Sequence, residues 1–256
     1  MRIVRLVLLG IACYLVTLVV LFPAAPVVDR VRDQLGPVAL EGVSGPLWRG
    51  HVERVRSTDD LLPLAFSDVT WRLAPGSLLG GGGARVGFQG YGGQGGGLVE
   101  RSWENDLVVS DFTMNAQADA LEPLLPAPIA EFDGTLDVDI ERLEIRDELL
   151  QSFRGRISWR DAVLIRPFAG RFGTIDITIA PEGESLHAGT LSIGGADVDG
   201  GGSFTLAPNG DYTVDVALTP SASAPPTIVD GLRRVARPDA AGAYRLQQSG
   251  NVNRLM

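Results

Sequence analysis

From Leu136 to Glu141 every second residue is apolar: Leu136, Val138 and Ile140 alternate with Asp137, Asp139 and Glu141. Successive side chains of a strand point to opposite faces, so this pattern is that of a strand with one face in a core and the other in water. The same alternation returns at Ile175, Ile177 and Ile179 against Asp176 and Thr178. Leu143 and Ile145 follow one residue out of phase with Leu136 to Ile140, which within a single strand requires a bulge near Glu141-Arg142. Phe204 to Leu206 and Tyr212 to Leu218 flank Pro208-Asn209-Gly210, whose Asn-Gly pair suits a tight reversal between antiparallel strands. With 32 Gly and 16 Pro in 256 residues, turns are frequent and a helical bundle is disfavoured. The predicted class is mainly β: an elongated, largely antiparallel curved sheet with short helices, preceded by an N-terminal transmembrane helix.

Short pieces between the strands, at Ala120 to Leu125, Arg146 to Phe153 and Ile228 to Ala236, are expected to cap the edges or ends of the sheet. Ile228, Val229, Leu232 and Val235 fall on one side of a helix, and Val27, Val28, Val31 and Leu35 predict another that Gly36-Pro37 ends. The tract Gly80 to Gly97 fits either a flexible loop or a strand with close backbone packing. Gly45-Pro46-Leu47-Trp48-Arg49-Gly50 has a loose echo in Gly155-Arg156-Ile157-Ser158-Trp159-Arg160, each placing a Trp just after a Gly-led strand start.

Leu6 to Phe22 carries no charge and follows Arg2 and Arg5. As a helix it would span about 25 Å, the lower limit for crossing a bilayer. Ala24-Ala25 also resembles a signal-peptide cleavage site, but Pro26 would place a tertiary amide at the scissile bond, which favours a retained anchor. The domain reading is an anchor at 1–26 and a β-rich periplasmic domain at 27–256. Arg2 and Arg5 favour a cytoplasmic N-terminus, against a small opposing bias from Arg30 and Arg32. Cys13, inside the apolar run, is the chain's single cysteine, so no disulfide forms within the chain.

The sequence offers no constellation for catalysis. His51 and His187 are the only histidines, too few for a metal cluster, and read as plain surface or strand residues. Gly42-Val43-Ser44-Gly45-Pro46 misses the G-x-S-x-G spacing at its last position. Gly90, Gly92 and Gly95 fit G-x-G-x-x-G, but Gly96 and Gly97 oppose the helix that this fingerprint needs. There is no lysine for a Walker loop. Pairs such as Asp137 with Asp139 or Asp197 with Asp199 are what a solvated strand face supplies. Trp48, Trp71, Trp103 and Trp159 could line a groove, but read first as core. The net charge of −9 repels nucleic acid. The chain is expected to be no enzyme, with no cofactor and no metal.

The order of motifs resembles the type II secretion system protein N family, the GspN proteins. Gly45-Pro46-Leu47-Trp48-Arg49-Gly50 is similar to its G-x-L-W-x-G element, apart from Pro46 where Thr is more usual. Trp71-Arg72-Leu73-Ala74-Pro75-Gly76-Ser77-Leu78-Leu79-Gly80 is similar to its W-x-L-x-P-x-x-L-L-x-G element. Gly155 to Leu164 is similar to G-x-x-x-W-x-x-A-x-L, and Gly242 to Leu246 to the closing G-x-Y-x-L. The resemblance implies an accessory inner-membrane component of the machinery that exports folded proteins across the outer membrane. It would be single-pass, touch other secretion subunits and carry no catalytic residues. The residues singled out are structural: Gly45, Leu47, Trp48, Gly50, Trp71, Pro75, Gly155, Trp159 and Tyr244. A buried Trp71 would cost about 3–5 kcal/mol on replacement by Ala. An AsmA-like groove that binds or transfers lipid shares this layout and is the alternative; it needs an apolar face left open.

Overall fold

The computed structural model describes residues 22–31, 38–57, 63–74, 82–102, 106–124, 131–146, 149–166, 169–182 and 187–251. Among these residues, thirteen strands form one antiparallel, curved sheet in which each strand pairs with its sequence neighbours. They are β1 (Val38–Glu41), β2 (Arg49–Ser57), β3 (Ala65–Leu73), β4 (Gly82–Gly90), β5 (Gly93–Arg101), β6 (Leu107–Gln117), β7 (Glu131–Arg146), β8 (Leu149–Arg166), β9 (Gly170–Pro181), β10 (His187–Gly194), β11 (Val198–Leu206), β12 (Asp211–Pro220) and β13 (Tyr244–Asn251). Helix α1 (Ala25–Val31) precedes the sheet and α2 (Pro226–Val235) joins β12 to β13, while a 3-10 turn spans Asp119–Leu124. The predicted anchor helix, Leu6 to Phe22, lies outside the described residues apart from Phe22, which is not helical; among those described, no helix is long and apolar enough to cross a membrane.

Following partners from strand to strand sorts the side chains onto two unlike faces. Phe88, Gly95, Met114, Val138, Ile157, Ile177, Leu191, Gly202, Val216 and Leu246 form one continuous row across ten strands. One residue over, on the opposite face, the row runs Gln89, Gln94, Asn115, Asp137, Ser158, Asp176 and Ser192. One face is hydrocarbon and the other is polar.

That separation survives because bulges reset the phase. Apolar residues step by three across Phe66/Val69, Val109/Phe112, Ile140/Leu143 and Trp159/Ala162, and the ladder slips at each of these places. Asp68, Asp111 and Asp161 sit in the slips at φ near 50° (50°, 49° and 50°). Asp is one of the few residues with a side chain that tolerates this left-handed region. The fourth slip is the bulge expected at Glu141-Arg142. Bulges bend a strand and raise its local twist.

The Pro208-Asn209-Gly210 reversal is present, with Gly210 N donating to Ala207 O at 2.9 Å and Gly210 at φ 85°. The part of the glycine tract that is described proves to be a hairpin of β4 and β5, turning at Tyr91 (φ 54°) and Gly92 (φ 73°). Two positive φ values match the turn whose twist suits a two-residue hairpin. A strand, not a helix, follows Gly90-x-Gly92-x-x-Gly95. Arg146 to Phe153 does not cap the sheet as expected; it contains the end of β7 and the start of β8, because Ile145 and Phe153 keep their places on the apolar face. The short helices at Asp119–Leu124 and Pro226–Val235 are present, although Val235 stays 64 % exposed and Ile228 alone is buried in the second.

The last strand is latched by charge. Arg245 donates from Nε to Asp215 Oδ1 at 2.8 Å and Gln247 Nε2 to Asp215 Oδ2 at 3.0 Å. Hydrogen bonds from Arg245 and Gln247 lower the Asp215 carboxyl from 3.8 to about 2. A carboxylate depressed in this way stabilises the fold above its ordinary value and loses that contribution as the pH falls from 3.8 toward about 2. Asp215→Asn should therefore flatten acid unfolding in that window, followed by circular dichroism; an unchanged acid limb would contradict the latch.

Candidate functional site

The first motif forms a compact knot at one end of the sheet. Gly45 turns the chain at φ 86°, and Leu47-Trp48 complete the turn into β2. Gly50 pairs with Trp71 on β3, and a Cβ on Gly50 would lie 2.0 Å from the indole Cζ2. The ring thus occupies the space above the glycine, and its Nε1 donates to Leu47 O at 2.8 Å. Gly45, Leu47, Trp48, Gly50 and Trp71 come together as one unit. Trp71 is half-buried, so the sheet does not enclose it as a core tryptophan.

The same knot holds the incoming chain. Leu47 N donates to Phe22 O at 2.8 Å, Ala24 N donates to Gly45 O at 3.0 Å, and Pro23 bridges Pro46. Ala24 is fully buried. Leu73 N donates to Trp48 O at 2.8 Å, tying the end of β3 to the same turn.

The other motif residues lie elsewhere along the sheet. Gly155 is buried in β8, where a Cβ would meet Asp139 O at 2.6 Å. Trp159 packs edge-on to Phe132 with centroids 5.8 Å apart and donates from Nε1 to Asp133 O at 3.0 Å. Tyr244 is buried at the start of β13. Pro75 and Trp103 lie outside the described residues. The echo between the two Gly-Trp segments is not a structural repeat, since Trp48 stands in a turn before β2 and Trp159 within β8.

Two surfaces stand out by their chemistry. The apolar face carries interlocked rings: Phe66 and Phe88 with centroids 4.8 Å apart, and Phe88 and Phe112 at 6.2 Å. Phe88 leans over Gly95, where a Cβ would lie 2.6 Å from its Cζ. Most residues of this face are half-buried, and among the described residues no second sheet or long helix lies across it. The polar face over β2–β7 forms an open cavity of about 1050 Å³, lined by Arg49, His51, Asp68, Arg72, Gln89 and Asp137 among others. His51 approaches Asp68 at 3.8 Å. His187 is a strand residue of β10, buried, with no hydrogen-bond partner for either ring nitrogen. No group of three or more metal-ligating side chains is found among the described residues.

Asp197, expected with Asp199 on a solvated strand face, is instead buried in the loop between β10 and β11. It accepts from Arg171 N at 2.8 Å and from Arg171 Nη2 at 2.9 Å, and Ser221 N donates to its carbonyl at 2.9 Å. The side-chain hydrogen bond from Arg171, ahead of the opposing cost of burial, holds the Asp197 carboxyl below the usual carboxylate range. This fastens the β10–β11 loop to β9 and β12. An Asp in a loop carries no mark in sequence that separates it from its solvated neighbour Asp199.

A single-layer antiparallel sheet with one hydrocarbon face, entered through a clamped N-terminal segment, makes the described part of the chain a β-sheet scaffold. The family model of type II secretion system protein N matches residues 36–247. The chain belongs to that family. It is also 28 % identical over 254 residues to the type II secretion system protein N of Aeromonas hydrophila, covering 95 % of this chain and 96 % of that protein. No solved structure matches.

Gly50→Ala should force the Trp71 ring aside and destabilise the sheet, while Trp71→Ala should cost about 2–3 kcal/mol, below the range for a fully buried tryptophan. In the double variant the two losses should overlap by about 0.5–3 kcal/mol. Strictly additive denaturation free energies would mean that the ring does not occupy the space over Gly50.

Proposed function

We propose that the chain is an accessory inner-membrane subunit of type II secretion that supports the export of folded proteins through contacts with other secretion subunits. The family match carries this reading, and the apolar face supplies a physical reason for contact. A sheet with one hydrocarbon face normally buries it against a second layer, and here that layer would come from a partner. In this reading Leu6 to Phe22 is a retained single-pass anchor with its N-terminus in the cytoplasm, and the domain at 27–256 is periplasmic. The chain performs no chemistry, holds no cofactor and binds no nucleic acid.

The lipid-groove alternative draws on the same open apolar face, but the comparisons lend it no support. Deleting the gene in a strain that depends on type II secretion should lower exoprotein release, and the tagged full chain should copurify with secretion subunits from solubilised inner membranes. Undiminished release with no subunit recovered would defeat the proposal. Phospholipid copurifying without any subunit would favour the groove.

A further inference from the structure

Arg49, Arg72 and Arg85 stand directly opposite one another on β2, β3 and β4, on the polar face. Directly opposed residues of antiparallel strands hold their Cβ atoms about 4.5–5.5 Å apart, and like charges so placed destabilise the pairing. All three side chains are exposed, and all three line the polar cavity. None of the three guanidinium groups forms an ion pair or hydrogen bond with the described residues.

The row lacks counter-ions although the chain does not lack acidic residues. The chain has 31 acidic residues against 22 basic ones. Farther along the same rim Arg146 pairs with Asp106 at 3.0 Å and Arg142 with Glu144 at 3.1 Å. Close to the three arginines, Asp68 faces His51, and Glu100 lies against Gly83, where a Cβ would meet its Cγ at 3.1 Å. Neither carboxylate reaches the row.

The row also has a defined position. Arg49 opens β2 two residues after Leu47, whose N–H is bonded to Phe22 O, and Phe22 is the last residue of the apolar run. Arg72 lies one residue before Leu73, which is bonded to Trp48. The three guanidinium groups therefore sit on the rim where the chain leaves that run. Guanidinium forks match the oxygen geometry of phosphate, and basic side chains at a bilayer surface are drawn to anionic headgroups.

We propose that Arg49, Arg72 and Arg85 form a receptor for the phosphodiester of an anionic phospholipid headgroup, which fixes the tilt of the sheet against the membrane. This rests on the reading of Leu6 to Phe22 as a retained anchor, because only then does the rim lie at headgroup level. The bound phosphodiester supplies the negative charge that the row lacks.

The test uses the full chain in dodecyl maltoside, titrated with dihexanoyl phosphatidylglycerol, dihexanoyl phosphatidylcholine or inorganic phosphate and followed by calorimetry. Phosphatidylglycerol should bind saturably, weaken with added salt, and lose about fivefold in affinity for each Arg→Gln change along the row. Arg234→Gln, on α2, should leave binding unchanged. Removing the repulsion should also keep or raise the thermal midpoint of Arg72→Gln without lipid, which excludes misfolding as the cause of lost binding. Equal binding by the triple Gln variant, or no binding by the parent chain, would overturn the proposal. Inorganic phosphate binding as tightly as phosphatidylglycerol would show a free-anion site and overturn the lipid assignment. Alkaline carbonate extraction of membranes scores the anchor separately, since the titration in detergent does not depend on it.

Discussion

The structure depends on keeping phase. Thirteen strands share one sheet, and a slip of a single residue in any of them would carry its apolar set to the polar side. The four places where apolar residues step by three are matched by four irregularities of the ladder, so Phe66, Phe112, Leu143 and Ala162 all stay on the hydrocarbon face. Three of the four use an Asp at positive φ, and each Asp lies between a polar residue and an apolar one. Regular alternation without these bulges would give a flatter sheet with mixed faces.

How legible this was in the sequence depended on the length of each pattern. Leu136 to Ile145 shows three alternating apolar residues before its slip and two after, enough to place both the strand and the bulge. Ser67-Asp68-Val69, Ser110-Asp111-Phe112 and Arg160-Asp161-Ala162 carry the same signal, but short runs or adjacent apolar residues such as Val108 and Val163 blur their alternation. The glycine tract was ambiguous for a different reason. Glycine has no side chain to alternate, so its strand character shows only through the rings above it, such as Phe88 over Gly95. Arg146 to Phe153 looks in the sequence like an end cap because a short polar stretch between two long strands resembles a break in the pattern.

The candidate site was legible in part. The Gly-Trp motif brought Gly45, Leu47, Trp48, Gly50 and Trp71 into one knot, and the indole bond to Leu47 O explains why a tryptophan stands there. Its role proved wider than that of a core residue, because the same turn clamps Phe22 and Ala24. The arginine row was invisible, since Arg49, Arg72 and Arg85 are far apart in the chain and only strand register sets them side by side. In the proposed reading the two faces divide the work: charge toward the membrane surface on one, hydrocarbon toward a protein partner on the other.

The most direct measurement is face-resolved photocrosslinking in living cells, with the photoreactive residue at Val138 or Ile177 on the apolar face and at Asp137 or Asp176 on the polar face. Adducts to secretion subunits from Val138 and Ile177, and few from Asp137 and Asp176, are the expected result. Secretion-subunit adducts from the polar positions alone, or none from either face, would contradict the account.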